Sequence, residues 1–132
     1  MHLSLDHHSG VPVSAQIVEQ VKYLVVSGAL AAGAQIPSVR ALAEQLKLNP
    51  TTVARVYRQL EGERVIYTQA GRGTFVAPLR GGLTLAEKRS RLAGDIRRLV
   101  VEAGRLDLEY EELLTLVGRE IDAIRGGKER KA

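Results

Sequence analysis

Residues 37–76 read PSVRALAEQLKLNPTTVARVYRQLEGERVIYTQAGRGTFV, so that two short helical repeats are followed directly by a glycine-punctuated strand pair. That order of elements leaves few small folds open. The second helix is predicted to open at Asn49, with Pro50 in the first helical position, where a missing amide costs nothing and the Asn side chain caps a free one. From there Val53, Val56, Tyr57 and Leu60 fall at i, i+3, i+4 and i+7 and make one apolar stripe. Tyr57 belongs to that stripe and is read as core, with its hydroxyl at the edge. The opposite face holds Thr51, Thr52, Arg55, Arg58 and Gln59 with no acidic residue among them. Hydroxyls, guanidiniums and an amide in that arrangement suit phosphate oxygens and the base edges of a major groove, and the helix start is expected to add free amides for a phosphate.

The flanking segments extend the pattern. Ile17, Val21, Leu24 and Val25 repeat with helical spacing over residues 13–27, and Gly28 is placed to end that helix in a left-handed conformation. Ile36-Pro37 biases the chain to an extended backbone before Ser38 caps the next helix. Val39, Leu42, Ala43 and Leu46 form the buried face of that helix, and Arg40 projects near its start, free to pair with Glu44 or with a phosphate. Residues 65–68 and 74–76 are β-prone, and the hairpin tip between them carries Arg72 between Gly71 and Gly73. A long cation on such a tip suits a narrow, negative groove.

Pro78, Gly81 and Gly82 mark a linker over residues 79–83. Thr84 and Glu87 then have capping-box spacing, and Leu85, Leu92, Ile96, Leu99 and Ala103 share one face up to a stop at Gly104. Asp107 is read as the cap of a last helix, whose stripe of Tyr110, Leu113, Leu114, Val117, Ile121 and Ile124 runs to Gly126-Gly127. Glu109, Glu111 and Glu112 complement the dipole at its start and do not form a catalytic pair. Two amphipathic helices bury little alone, and a twofold partner offering the same stripes would cover them. The expectation is a homodimer held by Leu92, Ile96, Leu99, Leu113, Leu114, Val117, Ile121 and Ile124, with residues 128–132 disordered.

Composition narrows the chemistry. A chain of 132 residues with net charge +4 has room for one modest core plus an appendage, and its basic balance favours a polyanionic partner. It has no cysteine, which removes disulfides, thiolate nucleophiles and cysteine-based zinc sites and fits a cytoplasmic location. No export signal or membrane span is read, and His2, His7 and His8 near the chain start are expected to be solvated rather than metal ligands. No nucleophile with a base, phosphate loop or metal cluster suggests an enzyme, and no cofactor is expected.

PSVRALAEQL, NPTTVARVYRQLE and GRGTFV together resemble the winged helix-turn-helix domain of the GntR family of bacterial transcription regulators. The likeness extends upstream through LSLDHHSGVPVSAQI, and with a tail of only two helices the chain is most similar to the YtrA subfamily. The resemblance implies a mostly α fold with a small β-hairpin wing: a winged helix-turn-helix over residues 1–78, then two dimerisation helices over residues 84–127. It implies that Arg40 grips phosphate or a guanine edge, that Thr51 and Thr52 contact phosphate and bases, and that Arg72 and Gly73 enter the minor groove. Ser38, Asn49 and Pro50 join this DNA-facing set at the helix starts. The family usually has Gly before Leu-Ile after its third helix, whereas here Arg64 precedes Val65-Ile66 and the glycine is Gly62. The expected function is sequence-specific binding of double-stranded DNA, as a repressor on a palindromic operator. The alternative is a winged-helix module whose basic face meets an acidic protein. Any small-molecule effector is unknown, and a groove between the two tail helices of a dimer is where one would fit.

Overall fold

The computed structural model describes residues 1–131, with side chains through residue 126. It contains α1 Val13–Val26, β1 Gln35–Ile36, α2 Val39–Leu46, α3 Pro50–Gly62, β2 Ile66–Gln69, β3 Gly73–Val76, α4 Leu85–Arg105 and α5 Tyr110–Lys131. The fold is mostly helical with a small antiparallel sheet in the order β1-β3-β2. The chain divides into two compact units, one that includes Met1–Leu79 and a second made of Arg80–Arg125.

In the first unit the apolar stripes converge on one core. Ile17 and Val21 of α1, Leu42 of α2, Val53, Val56 and Leu60 of α3, Ile66 of β2 and Val76 of β3 are all fully enclosed. Tyr57 is buried with them, and its hydroxyl donates to the Pro37 carbonyl oxygen at 2.6 Å, tying α3 to the junction of β1 and α2. Burial pushes that hydroxyl's pKa up to about 12. The amino-terminal segment is strapped down by two glutamines one turn apart on α1. Gln20 exchanges two hydrogen bonds with the backbone of Ser4, Gln16 does the same with Asp6, and Leu3 is buried beside them.

The third strand is an addition to the expected hairpin. β1 pairs Gln35 with Phe75 and Ile36 with Thr74, and the pairing continues through Gly33 and Ala34 to the backbone of Val76. A strand of two residues shows no periodicity to read.

Helix ends also depart from the sequence reading. The left-handed residue is Gly28 after α1, but Lys47 after α2 (φ 57), Arg64 after α3 (φ 60) and Asp107 after α4 (φ 57). After α3, the Arg64 amide donates to Glu61 and the Val65 amide to Leu60, a Schellman closure achieved without glycine. Asp107 is therefore part of the end of α4 and not the cap of α5, which starts at Tyr110. Helix α4 itself runs one residue past Gly104. Helix α5 is continuous through Gly126-Gly127, where a stop is predicted, and the disorder expected for 128–132 lies outside the residues described with side chains.

In the second unit Thr84 caps α4 by accepting from the Glu87 amide at 3.1 Å. Helices α4 and α5 have little lateral packing on each other. Leu92, Ile96, Leu99, Leu114, Val117 and Ile121 are therefore exposed, whereas Leu113 and Ile124 are half-buried.

Two measurements check this account. Arg64→Gly removes left-handed strain from a side-chain-bearing residue and should raise the urea unfolding free energy by about 1 kcal/mol. Tyr57→Phe leaves the Pro37 carbonyl without its donor and should cost about 1–3 kcal/mol near neutral pH. Because the folded state holds the Tyr57 proton more tightly than the unfolded one, this contribution is complete below about pH 10 and is lost as pH rises toward about 12. The gap in thermal stability between wild type and Tyr57→Phe should shrink over that interval.

Candidate nucleic-acid interface

Helix α3 divides cleanly around its circumference. With Val53, Val56, Tyr57 and Leu60 facing the core, Thr51, Arg55 and Arg58 form an exposed row at i, i+4 and i+7 on the opposite side. At 1.5 Å per residue the row is about 10 Å long. Thr52 is half-buried on one flank. Gln59 lies on the same flank two turns further on, where its amide nitrogen donates to Glu63 at 3.0 Å. Glu63 also accepts from Lys22 of α1 at 2.7 Å, and that hydrogen bond, seconded by Gln59, holds its carboxyl below the usual carboxylate range. The structure thus groups Gln59 with an ion pair near the end of α3, apart from the row that begins at Thr51.

The start of α3 is internally satisfied. Asn49 accepts from the Thr51 amide through Oδ1 at 2.8 Å, its carbonyl receives Thr52 at 3.0 Å, and Pro50 has no amide to offer. The free amides expected there are absent, because the Asn cap and a tight first turn consume them. Helix α2 differs. Ser38 accepts from the Ala41 amide at 3.1 Å, and its carbonyl takes Leu42, but among the described residues the Val39 and Arg40 amides have no protein acceptor. Arg40 is exposed there and forms no ion pair with Glu44. Two free amides, the positive end of the helix dipole and an exposed arginine thus share the first turn of α2, an arrangement suited to a phosphate. Lys47, in its left-handed conformation, makes the tight turn that brings α2 to α3.

The wing tip is built on β2 and β3, which pair from Ile66 with Val76 to Gln69 with Gly73. The Arg72 amide donates to Gln69 at 3.0 Å to close the turn, leaving the Arg72 side chain exposed. Tyr67 and Phe75 stack across the strands with ring centroids 5.6 Å apart. On β1, the Gln35 amide nitrogen donates to the Arg72 carbonyl at 3.3 Å. A Cβ on Gly73 would collide with that same nitrogen, and Gly73 has φ 130. Sequence reasoning assigned Gln35 no role. Its only signal was a place beside Ile36-Pro37, already biased to an extended backbone. No group of three or more His, Cys, Asp or Glu among the described residues is placed to hold a metal.

Residues 13–76 match the bacterial regulatory proteins of the gntR family. The repressor YtrA of Bacillus subtilis is 33% identical over 127 residues, covering 96% of this chain and 97% of its own. The chain belongs to the GntR family. Among solved structures, this GntR regulator is similar to a transcriptional antiterminator from Listeria monocytogenes (30% identity, TM-score 0.84, covering 94% of this chain and 92% of that one). It is also similar to YtrA from Sulfolobus acidocaldarius, a GntR-family transcription factor (26% identity, TM-score 0.57, 92% and 97% covered). Like its relatives it is a DNA-binding transcription regulator of the YtrA-like group. No helix among its described residues is long and apolar enough to cross a membrane.

Gly73→Ala should release the wing tip from β1. The expected result is a shift of the Gln35 side-chain amide resonances in the nitrogen-15 spectrum and a stability loss of about 1 kcal/mol. Unchanged Gln35 resonances would contradict the contact.

Proposed function

We propose that this regulator is a repressor that binds a palindromic operator as a homodimer. The observation that carries the reading is the coincidence of three basic features on the winged unit: the Thr51, Arg55, Arg58 row, the Arg40 amide cluster and the Arg72 tip. In the proposed mode Thr51, Arg55 and Arg58 read base edges in the major groove, with Thr52 on phosphate. Arg40 and the α2 amides fix register on the backbone, and Arg72, held out by Gly73, occupies the minor groove. Asn49, Pro50 and Ser38 act by shaping the helix starts, and Gln59 by bonding Glu63.

The exposed tail stripes, including Leu92, Ile96, Leu99, Leu114, Val117 and Ile121, support dimerisation, since that much apolar surface on two unpacked helices favours burial against a second copy. Two recognition helices would then stand about 34 Å apart and require inverted half-sites. The similarity to the Bacillus subtilis repressor supports the sign of regulation.

Selection from randomised duplexes, with mass determination of the complex, tests the proposal. An inverted repeat bound by two chains is the expected result; a single half-site bound by one chain would refute it. On the selected site, Arg40→Ala should weaken binding and lower the salt slope by about one. The same affinity and slope as wild type would remove Arg40 from the phosphate contacts.

A further inference from the structure

Formal charge in the tail is sorted by helix. From residue 80 to 106 there are seven Arg and Lys against three Asp and Glu, whereas from 107 to 125 there are six Asp and Glu against two Arg. Two of the three α4-side acids are already used, Asp95 by Arg98 and Glu102 by Arg105. Lys88, Arg89 and Arg97 have no ionic partner among the described residues, and neither have Glu109 and Glu120. Opposite unpaired charges thus stand on two helices that, within one chain, barely pack together.

The apolar seams match as well. On α4, Leu85, Arg89, Leu92, Ile96, Leu99 and Ala103 are spaced alternately four and three residues apart, the period of a coiled-coil seam. On α5, Tyr110, Leu114, Val117, Ile121 and Ile124 repeat the same spacing. Arg89 interrupts the α4 seam, and together with Lys88 and Arg97 it lines an apolar trough with Leu85, Leu92, Ile96 and Val100. Glu120 stands next to Ile121 of the α5 seam, and Glu109 immediately precedes the helix, eleven residues earlier. A cation inside an apolar seam is costly when it meets another like it and tolerable opposite a carboxylate, so it selects its partner helix.

We propose that the α4 trough is occupied by α5 of a second copy of this chain, crosswise, with Lys88, Arg89 and Arg97 set against Glu109 and Glu120 of that copy. This rests on the homodimer reading above and specifies its pairing. Pairing α4 with α4 would oppose cation to cation and leave the acidic face of α5 similarly self-opposed.

Charge reversal tests the pairing by sedimentation velocity on the full chain, with folding checked by circular dichroism. In the crosswise arrangement Arg89→Glu/Arg97→Glu sets carboxylates against Glu109 and Glu120 of the second copy, and Glu109→Lys/Glu120→Lys sets cations against its Lys88, Arg89 and Arg97. Each variant alone should dissociate at least about tenfold more readily than wild type, and an equimolar mixture should restore the dimer. If each variant alone dimerises as wild type does, crosswise charge pairing is overturned while the dimer stands. Monomeric variants that stay monomeric when mixed also overturn it, since complementary charges then fail to specify the partner. A monomeric wild type would instead refute the homodimer reading itself.

Discussion

Helix α3 has one circumference to serve two purposes, and the first unit is arranged around how that circumference is shared. Four side chains, Val53, Val56, Tyr57 and Leu60, are committed to the core, each worth about 1.5–3 kcal/mol when fully buried. Rotation by a single residue would turn Arg58 and Glu61 inward in their place. The Tyr57 hydrogen bond to Pro37 adds a polar pin to the same orientation. With rotation fixed from inside, the outward row of Thr51, Arg55 and Arg58 needs no support of its own. Its precision is inherited from the core.

The wing obeys a different rule, because a two-stranded hairpin is marginal by itself. Its stability comes from three additions: the edge pairing of β1, the stack of Tyr67 on Phe75, and the Gln35 hydrogen bond to the Arg72 carbonyl. The last is possible only because Gly73 has no side chain, so the glycine beside Arg72 provides close approach as much as turn geometry. The amino-terminal segment follows the same logic. Gln16 and Gln20 satisfy backbone groups of Ser4 and Asp6 that no strand is there to pair.

What was legible in the sequence follows from these mechanisms. The five helices were legible because each carries a periodic stripe, and β2 and β3 because glycines bracket β-branched and aromatic residues. Strand β1 was not, since two residues have no period and its partners lie some forty residues ahead. The ends at Lys47, Arg64 and Asp107 were hidden because the usual signal for a left-handed residue is glycine, whereas here charged residues adopt that conformation within local backbone closures onto the preceding helix. In the candidate interface the outward row of α3 was readable from spacing. The ion pair that Gln59 joins through Glu63 was not, because Lys22 is brought alongside only by the packing of α1 on α3. The location of the free amides was misread for a related reason. An Asn cap followed by proline reads as an open helix start, yet the cap itself closes it, and the open start is the one at α2.

Net charge is a poor guide to where this chain meets DNA. From residue 80 to 125 acids and bases cancel, nine of each, so that stretch contributes nothing to the overall +4. Residues 1–79 carry seven Arg and Lys against five Asp and Glu, a small excess that would support only weak steering if it were spread evenly. It is not spread evenly. Arg40, Arg55, Arg58 and Arg72 occupy the starts of helices, the outward row and the wing, whereas Glu61 and Glu63 lie at the far end of α3, one of them paired with Lys22. A phosphate backbone approaching that far end would meet carboxylates and be repelled. In the proposed mode, the acids of α3 therefore restrict the duplex to the helix from its start through Arg58 and to the wing, and their negative charge helps to define the interface that the arginines attract.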